Sequence, residues 1–285
     1  RYHQDKRDLL IPELDASQIL QMQLASEKGA SSWLTALPLK ACGYALNRQQ
    51  FSDAMCLRYN MKVKDTARLC VCGELNTLNH LLICKRGGYV SLRHNSLRDL
   101  FAELLRASGC RDIVIEPPLL STNGVQLPRG SATEDNASLD VSARNIWNPL
   151  EKAFLDIRVF HAQAPSNRSH GTVEKMYKTH ESQKKKKYNQ RVLQVERATF
   201  TPVVFSTTGG MGEEAQTLVK KLADRTSRKS GQSYADVMKF LRTRLRFDLL
   251  RTTIIALRGA RGKKMSPPTD IEELDLNLVR EGRVG

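Results

Sequence analysis

The sequence predicts an α/β sandwich built on a mixed sheet. Two observations carry that expectation. Four short strand-like runs occur at 112–117, 139–144, 152–160 and 200–207, and long helical patterns flank or separate them. The order helix, strand, strand, strand, helix, strand, helix is that of a layered fold rather than a bundle or an all-β barrel.

The first 69 residues read as a helical segment. Leu14, Ile19, Met22 and Leu24 form an imperfect amphipathic stripe, and Phe51, Met55 and Tyr59 repeat at four-residue spacing between Gln49 and Asn60. Pro38 breaks the pattern between them. A basic helix follows at Arg93 to Ser108, with Leu97, Leu100, Phe101, Leu104 and Leu105 on one face and Gly109 as its stop. The stretch 121–137, rich in Ser, Thr, Asn and Gly, reads as a loop or a disordered insertion. A long basic helix at about Thr172 to Arg197 precedes the β-branched run "FTPVVFST", which reads as a buried strand. After the turn at Gly209-Gly210 come a helix, a loop and a basic helix at Tyr234 to Arg258. The tail from Lys263, with Pro267-Pro268 and an acidic patch, is expected to be loosely held. The resulting division is 1–69 helical linker, 70–95 metal-binding knuckle, 96–262 α/β domain and 263–285 tail.

Charge narrows the partners. Lys and Arg number 45 against 30 acidic residues, for a net charge of +15 and a pI near 9.7. That balance suits a polyanion, because each phosphate met by a basic side chain releases condensed counterions. DNA, with RNA as a second candidate, is the expected partner; no apolar run approaches a bilayer span. Nothing at Arg1 resembles a signal peptide, and the absence of an initiator Met suggests a piece of a longer polypeptide. Six cysteines in such a context argue for metal binding or core positions rather than disulfides.

Cys70, Cys72, His80 and Cys84 form C-x-C-x7-H-x3-C. Zinc takes four N or S ligands in a tetrahedron, and two close pairs on a short loop can wrap one ion. Gly73 eases the turn, and His80 and Cys84 are one helical turn apart. Leu78, Leu81, Leu82 and Ile83 would attach the knuckle to its neighbour. Cys42, Cys56 and Cys110 sit among apolar residues and are expected in the core.

The strands at 139–144 and 152–160 each carry an aspartate. By alternation, Leu139, Val141 and Ala143 share a face opposite Asp140, Ser142 and Arg144. Ala153, Leu155, Ile157 and Val159 share a face opposite Phe154, Asp156, Arg158 and Phe160. Paired through a turn at Asn148-Pro149, the strands would bring Asp140 and Asp156 together on a polar face. Such a face is either merely solvated or a site for a hard cation such as Mg²⁺. On the next helix Lys184 and Tyr188 are four apart, on a face with Tyr177, Glu181, Val192 and Val195. Lys184 to Lys187 are a tetralysine run, which serves equally as a solvated face, a phosphate contact or a nuclear-import signal. Chemistry alone does not choose among the four.

Taken in order, "CVCGELNTLNHLLICKRGGYVSLRHN", "IEP", "LDVSA", "FLDIRV" and "KKKKYNQR" resemble a known family. It is the zinc knuckle and restriction-like endonuclease at the C-terminal end of site-specific non-LTR retrotransposon proteins. The resemblance runs over residues 70 to 205. It implies the PD-(D/E)xK nuclease fold, in which a helix and a mixed sheet present metal-binding carboxylates. By match, Cys70, Cys72, His80 and Cys84 would hold structural zinc, and Asp140 and Asp156 would hold catalytic magnesium. Lys184 would take the place of the family's lysine on the following helix, with Tyr188 beside it. Arg93 and His94 would lie in an RHN turn and bind phosphate, and Lys185, Lys186 and Lys187 would meet the nucleic-acid backbone.

Two departures stand out. Leu139, not Pro, precedes Asp140, and Arg158 occupies the usual lysine position of (D/E)xK. Arg keeps its proton, so Arg158 could stabilise charge but could not act as a base. Glu116, flanked by prolines, is either a third acid or structural. The resemblance implies a nuclear DNA-nicking hydrolase joined to a reverse transcriptase. The alternative is a catalytically degenerate nucleic-acid-binding module. No paired-aspartate polymerase signature occurs; "YADV" at 234–237 has one Asp within a helical pattern.

Overall fold

The computed structural model describes residues 11–259; the tail expected from Lys263 lies outside them. Helices α1 (Ala16–Ser26), α2 (Ser32–Thr35), α3 (Arg48–Tyr59) and α4 (Leu78–Ile83) precede α5 (Tyr89–Ala107). Strands β1 (Arg111–Ile115), β2 (Val141–Arg144) and β3 (Lys152–Phe160) follow, then α6 (Val173–Gln194), β4 (Thr199–Ser206), α7 (Glu213–Ser230) and α8 (Tyr234–Arg258).

The sheet is mixed, in the order β1-β2-β3-β4. β1, β2 and β3 run antiparallel, whereas β4 is parallel to β3 and is reached through α6, the long connection that a parallel neighbour needs. Pro202, which has no N–H to donate, is accommodated because β4 is an edge strand. Helices cover both faces. On one side α5, α7 and α8 bury Leu97, Phe101, Leu218, Leu222 and Leu241 against Val141, Ala143, Leu155 and Val203. On the other, α6 sets Tyr188 and Val192 on Phe154 and Phe200, while Tyr177 and Met176 pack on Phe160 and Val204.

That second layer corrects the expected polar face. Phe154, Asp156 and Phe160 are buried beneath α6, and Ser142 is fully buried. Leu139 also departs from expectation: it joins Phe154 and Tyr188 rather than Val141 and Ala143. β2 begins at Val141, and the chain bends at Asp140, so alternation does not extend back to Leu139.

The stretch 121–137 is ordered irregular chain rather than a disordered insertion. Arg191 of α6, fully buried, donates to the carbonyls of Leu120, Ala132 and Glu134 at 2.9 to 3.0 Å. Leu119 and Ala132 fill the pocket above Phe154. One guanidinium fork thus supplies donors to three carbonyls that no strand partner satisfies.

The N-terminal segment packs on the last helix. Trp33, Ala54, Leu57 and Val63 form one apolar cluster with Phe247, Leu250, Ile254 and Leu257 of α8. The expected stripe on α3 is not the buried one, since Phe51 and Tyr59 are 47 % and 57 % exposed. Its buried face instead carries Gln50, Asp53, Ala54 and Leu57. Asp53 can enter because Arg258 meets both of its carboxylate oxygens at 2.6 and 2.8 Å. On α1 the buried residues are Gln21 and Leu24, and Gln21 donates to the carbonyls of Leu57 and Arg58. Cys56 and Cys110 are buried as expected; Cys42 is exposed, in a short 3-10 turn ended by Gly43.

Candidate metal centre and carboxylate site

Two sites stand side by side. The first is the cysteine–histidine cluster. A bridge between Leu69 and Leu75 closes a tight turn in which Gly73 takes φ 93°, bringing Cys70 and Cys72 to one side. Thr77 caps α4 by accepting the His80 amide, and Cys84 ends that helix. The four ligand atoms lie within 4.8 Å of one another. Cys70 Sγ and Cys84 Sγ are 3.8 Å apart, and Cys72 Sγ and His80 Nε2 are 3.3 Å apart. Tetrahedral zinc with Zn–S bonds of about 2.3 Å requires sulfurs about 3.8 Å apart. The donor set suits that ion, and the four atoms are close enough to surround one. Leu81 and Leu82, both buried, anchor the knuckle against α8, whereas Ile83 is at the surface.

The second site lies where β2 begins. β2 pairs with only the first part of β3, Val141 opposite Leu155 and Arg144 opposite Lys152. Continuing that register places Asp140 opposite Asp156, one residue before β2 begins. Asp140 Oδ2 accepts the Ile157 amide, a backbone donor of β3 that β2 no longer reaches. His94 Nε2 lies 3.2 Å from the same oxygen and 3.1 Å from the Ile157 carbonyl. Oδ1 of Asp140 has no hydrogen bond among the described residues. Asp156 is 6 % exposed, and Lys184 Nζ of α6 sits 2.5 Å from its Oδ2.

The electrostatics follow from this placement. Burial pushes the Asp156 carboxyl up, Lys184 opposes that, and the neighbouring Asp140 adds to it. His94 is raised, chiefly by its hydrogen bond to Asp140. Asp140 and Asp156, opposite one another one register step beyond Val141 and Leu155 at this end of the sheet, form a hard-oxygen donor pair of the kind that could hold Mg²⁺.

The other expected residues separate into groups. Arg158 is half-buried, and burial lowers its pKa. It lines a cleft of about 750 Å³ together with His94 and Lys184. Tyr188 is buried against Phe200, with the Lys184 and Lys187 ammonium groups 5.9 and 5.0 Å from its ring. Its immediate role is packing. Glu116 stands apart, exposed and paired with Arg98, although its amide donates to the Asp140 carbonyl at 2.9 Å. Lys185 pairs with Glu214, while Lys186 and Lys187 are exposed beside the 130–132 segment.

Arg93, His94 and Asn95 lie within α5, not in a turn. Arg93 is 2 % exposed and donates to the Leu82 carbonyl, so it ties α5 to the knuckle from inside. Sequence reasoning missed the His94–Asp140 contact and the Arg191 clamp. A lone His on a helix and an Arg in a basic helix carry no signal of either. No family model matches the chain, and no curated protein matches it.

Proposed function

We propose that this chain is a metal-dependent DNA endonuclease of the restriction-like type. It would be part of a retrotransposon-derived nuclear protein joined to a reverse transcriptase, nicking DNA by phosphodiester hydrolysis behind a zinc knuckle. The observation that carries the proposal is the convergence of Asp140, Asp156 and Lys184 at one end of a mixed sheet, beside a basic cleft. The resemblance named these three residues from separate stretches of sequence.

The division of labour follows from the geometry. Asp140 and Asp156 would hold Mg²⁺, which when bound supplies an activated water and charge neutralisation at the phosphate. His94 fixes the Asp140 carboxylate through Oδ2, leaving Oδ1 for a ligand. Lys184 opposes the upward push of burial on the Asp156 carboxyl and, at the cleft wall, is placed to donate to a phosphate oxygen. Arg158 adds a permanent positive charge. No helix among the described residues is long and apolar enough to cross a membrane, and the net charge of +15 favours a nucleic-acid partner.

The test is nicking of supercoiled plasmid in magnesium by the wild type and by Asp156→Asn. Nicking by the first and none by the second is expected. A wild type that binds DNA without cutting under any divalent cation would favour the binding-module reading, to which Arg158 in the place of a lysine also points.

A further inference from the structure

The cleft beside the carboxylates has a floor that the nuclease chemistry does not use. Arg93 lines it and is buried, and its Nε and Nη1 receive no partner, only Nη2 being bonded to Leu82. A buried guanidinium with unpaired donors is costly unless an anion completes it. Burial alone pulls its pKa down to about 10. Around it, Lys85, Arg158 and Lys184 add cationic side chains, and none of the described residues lining the cleft is acidic. Leu82, Val90, Ile157, Val159 and Phe160 form an apolar part of the wall, and Ser91, Asn95, His161, Ser166 and Asn167 a polar part. Its volume, about 750 Å³, falls in the range of pockets that enclose a small organic ligand.

We propose that this cleft takes one nucleotide of an unpaired DNA strand, its phosphate on Arg158 and Lys184 with the buried Arg93 charge behind them, and its base against the apolar part of the wall. Phosphates on the outside of a straight duplex meet surface cations, whereas Arg93 lies at the bottom of a pocket. A base can reach an apolar wall only after it leaves the stack. The cleft therefore selects single-stranded or locally opened DNA. The assignment of DNA rests on the nuclease reading; the pocket itself stands on the geometry of α4, α5 and β3. The knuckle contributes Leu82 and Lys85 to the wall, so zinc would brace the pocket as well as its own loop.

The experiment is fluorescence anisotropy on the full chain without magnesium, using labelled 20-mers of one sequence as single strand and as blunt duplex. Val90→Trp fills the wall and leaves every cation in place; Arg93→Met removes the floor charge. Wild type is expected to bind the single strand at least five-fold tighter than the duplex. Val90→Trp should lose that preference while keeping its duplex affinity, which also reports that it is folded. Thymidine monophosphate should compete better than thymidine or inorganic phosphate. Equal affinity for both DNAs, equal losses for both in Val90→Trp, or competition by phosphate as strong as by the nucleotide overturns the proposal. The outcome is separable from nuclease activity. A protein that nicks plasmid but shows no Val90→Trp effect loses only the pocket. One that never nicks but shows the selective loss keeps the pocket and loses the nuclease assignment.

Discussion

Replacing Arg191 with Met removes the clamp that shapes the chain leading to Asp140. Three hydrogen bonds from a charged donor to Leu120, Ala132 and Glu134 disappear, worth about 2 kcal/mol each. Against that loss of about 6 kcal/mol, the fold recovers the cost of burying a cation that has no carboxylate beside it, about 3 kcal/mol. Met also fills most of the space, so no large cavity term is added. The net expectation is about 3 kcal/mol of destabilisation, which in a domain of this size lowers the melting temperature by about 6 to 12 °C. Loss of the three bonds should also loosen 119–137, making that stretch the first cleaved by a dilute protease. Arg191→Lys should fare little better, because one ammonium cannot span carbonyls that a planar fork reaches together. A melting temperature within about 2 °C of wild type, with the stretch still resistant, would refute this account of what orders it.

Other expectations follow from single features. Protein purified without chelator should carry one zinc per chain, and Cys72→Ser should lower the metal content measured by atomic emission; unchanged zinc would remove the knuckle. The affinity for duplex DNA should fall linearly with salt on logarithmic axes, since contacts to phosphate release counterions; a flat response would point to protein partners. The Asp248 carboxyl, buried beside Ser96, is pushed by burial from 3.8 up to about 7. A raised carboxyl stabilises the fold fully below its unfolded pKa, and that stability is lost as pH rises through the folded pKa. Between about pH 4 and 7 the wild type should therefore lose up to about 4 kcal/mol from this group. Asp248→Asn should flatten that slope in urea titrations, and an unchanged slope would exclude Asp248 as its source.

The periodic elements were legible in the sequence because burial wrote them there. The run 152–160 coincides with β3 and 234–258 with α8, and the apolar side of α5 is the one read from Leu97 to Leu105. Periodicity failed where polar residues are buried in pairs or clamps. Asp53 with Arg258, Gln21 with two carbonyls and Arg191 with three each place a hydrophilic residue on an inward face, and no single-residue pattern shows its distant partner. The metal cluster was legible because all four ligands fall within fifteen residues. The carboxylate site was legible only in its members. Its environment was not: a face read as polar lies beneath a helix, because Phe154 and Phe160 share it with Asp156.

That burial gives the site its character. On an exposed strand, Asp156 would be an ordinary solvated carboxylate and Lys184 a weak surface partner. Under α6, an ionised Asp156 requires a cation, and one residue of β3 further on Asp140 supplies an acceptor to the Ile157 amide that β2 leaves unpaired. The late start of β2 therefore does two things with one feature. It frees a backbone donor that draws Asp140 towards Asp156, and it opens the flank of β3 from Ile157 to Phe160 as a wall of the cleft. Had β2 continued beside β3, its backbone would have met the Ile157 amide and its side chains would have filled the space where a nucleotide is proposed to lie. The approach of Asp140 to Asp156 and the open flank of the pocket are in this sense consequences of one short strand, and lengthening β2 should erase both together.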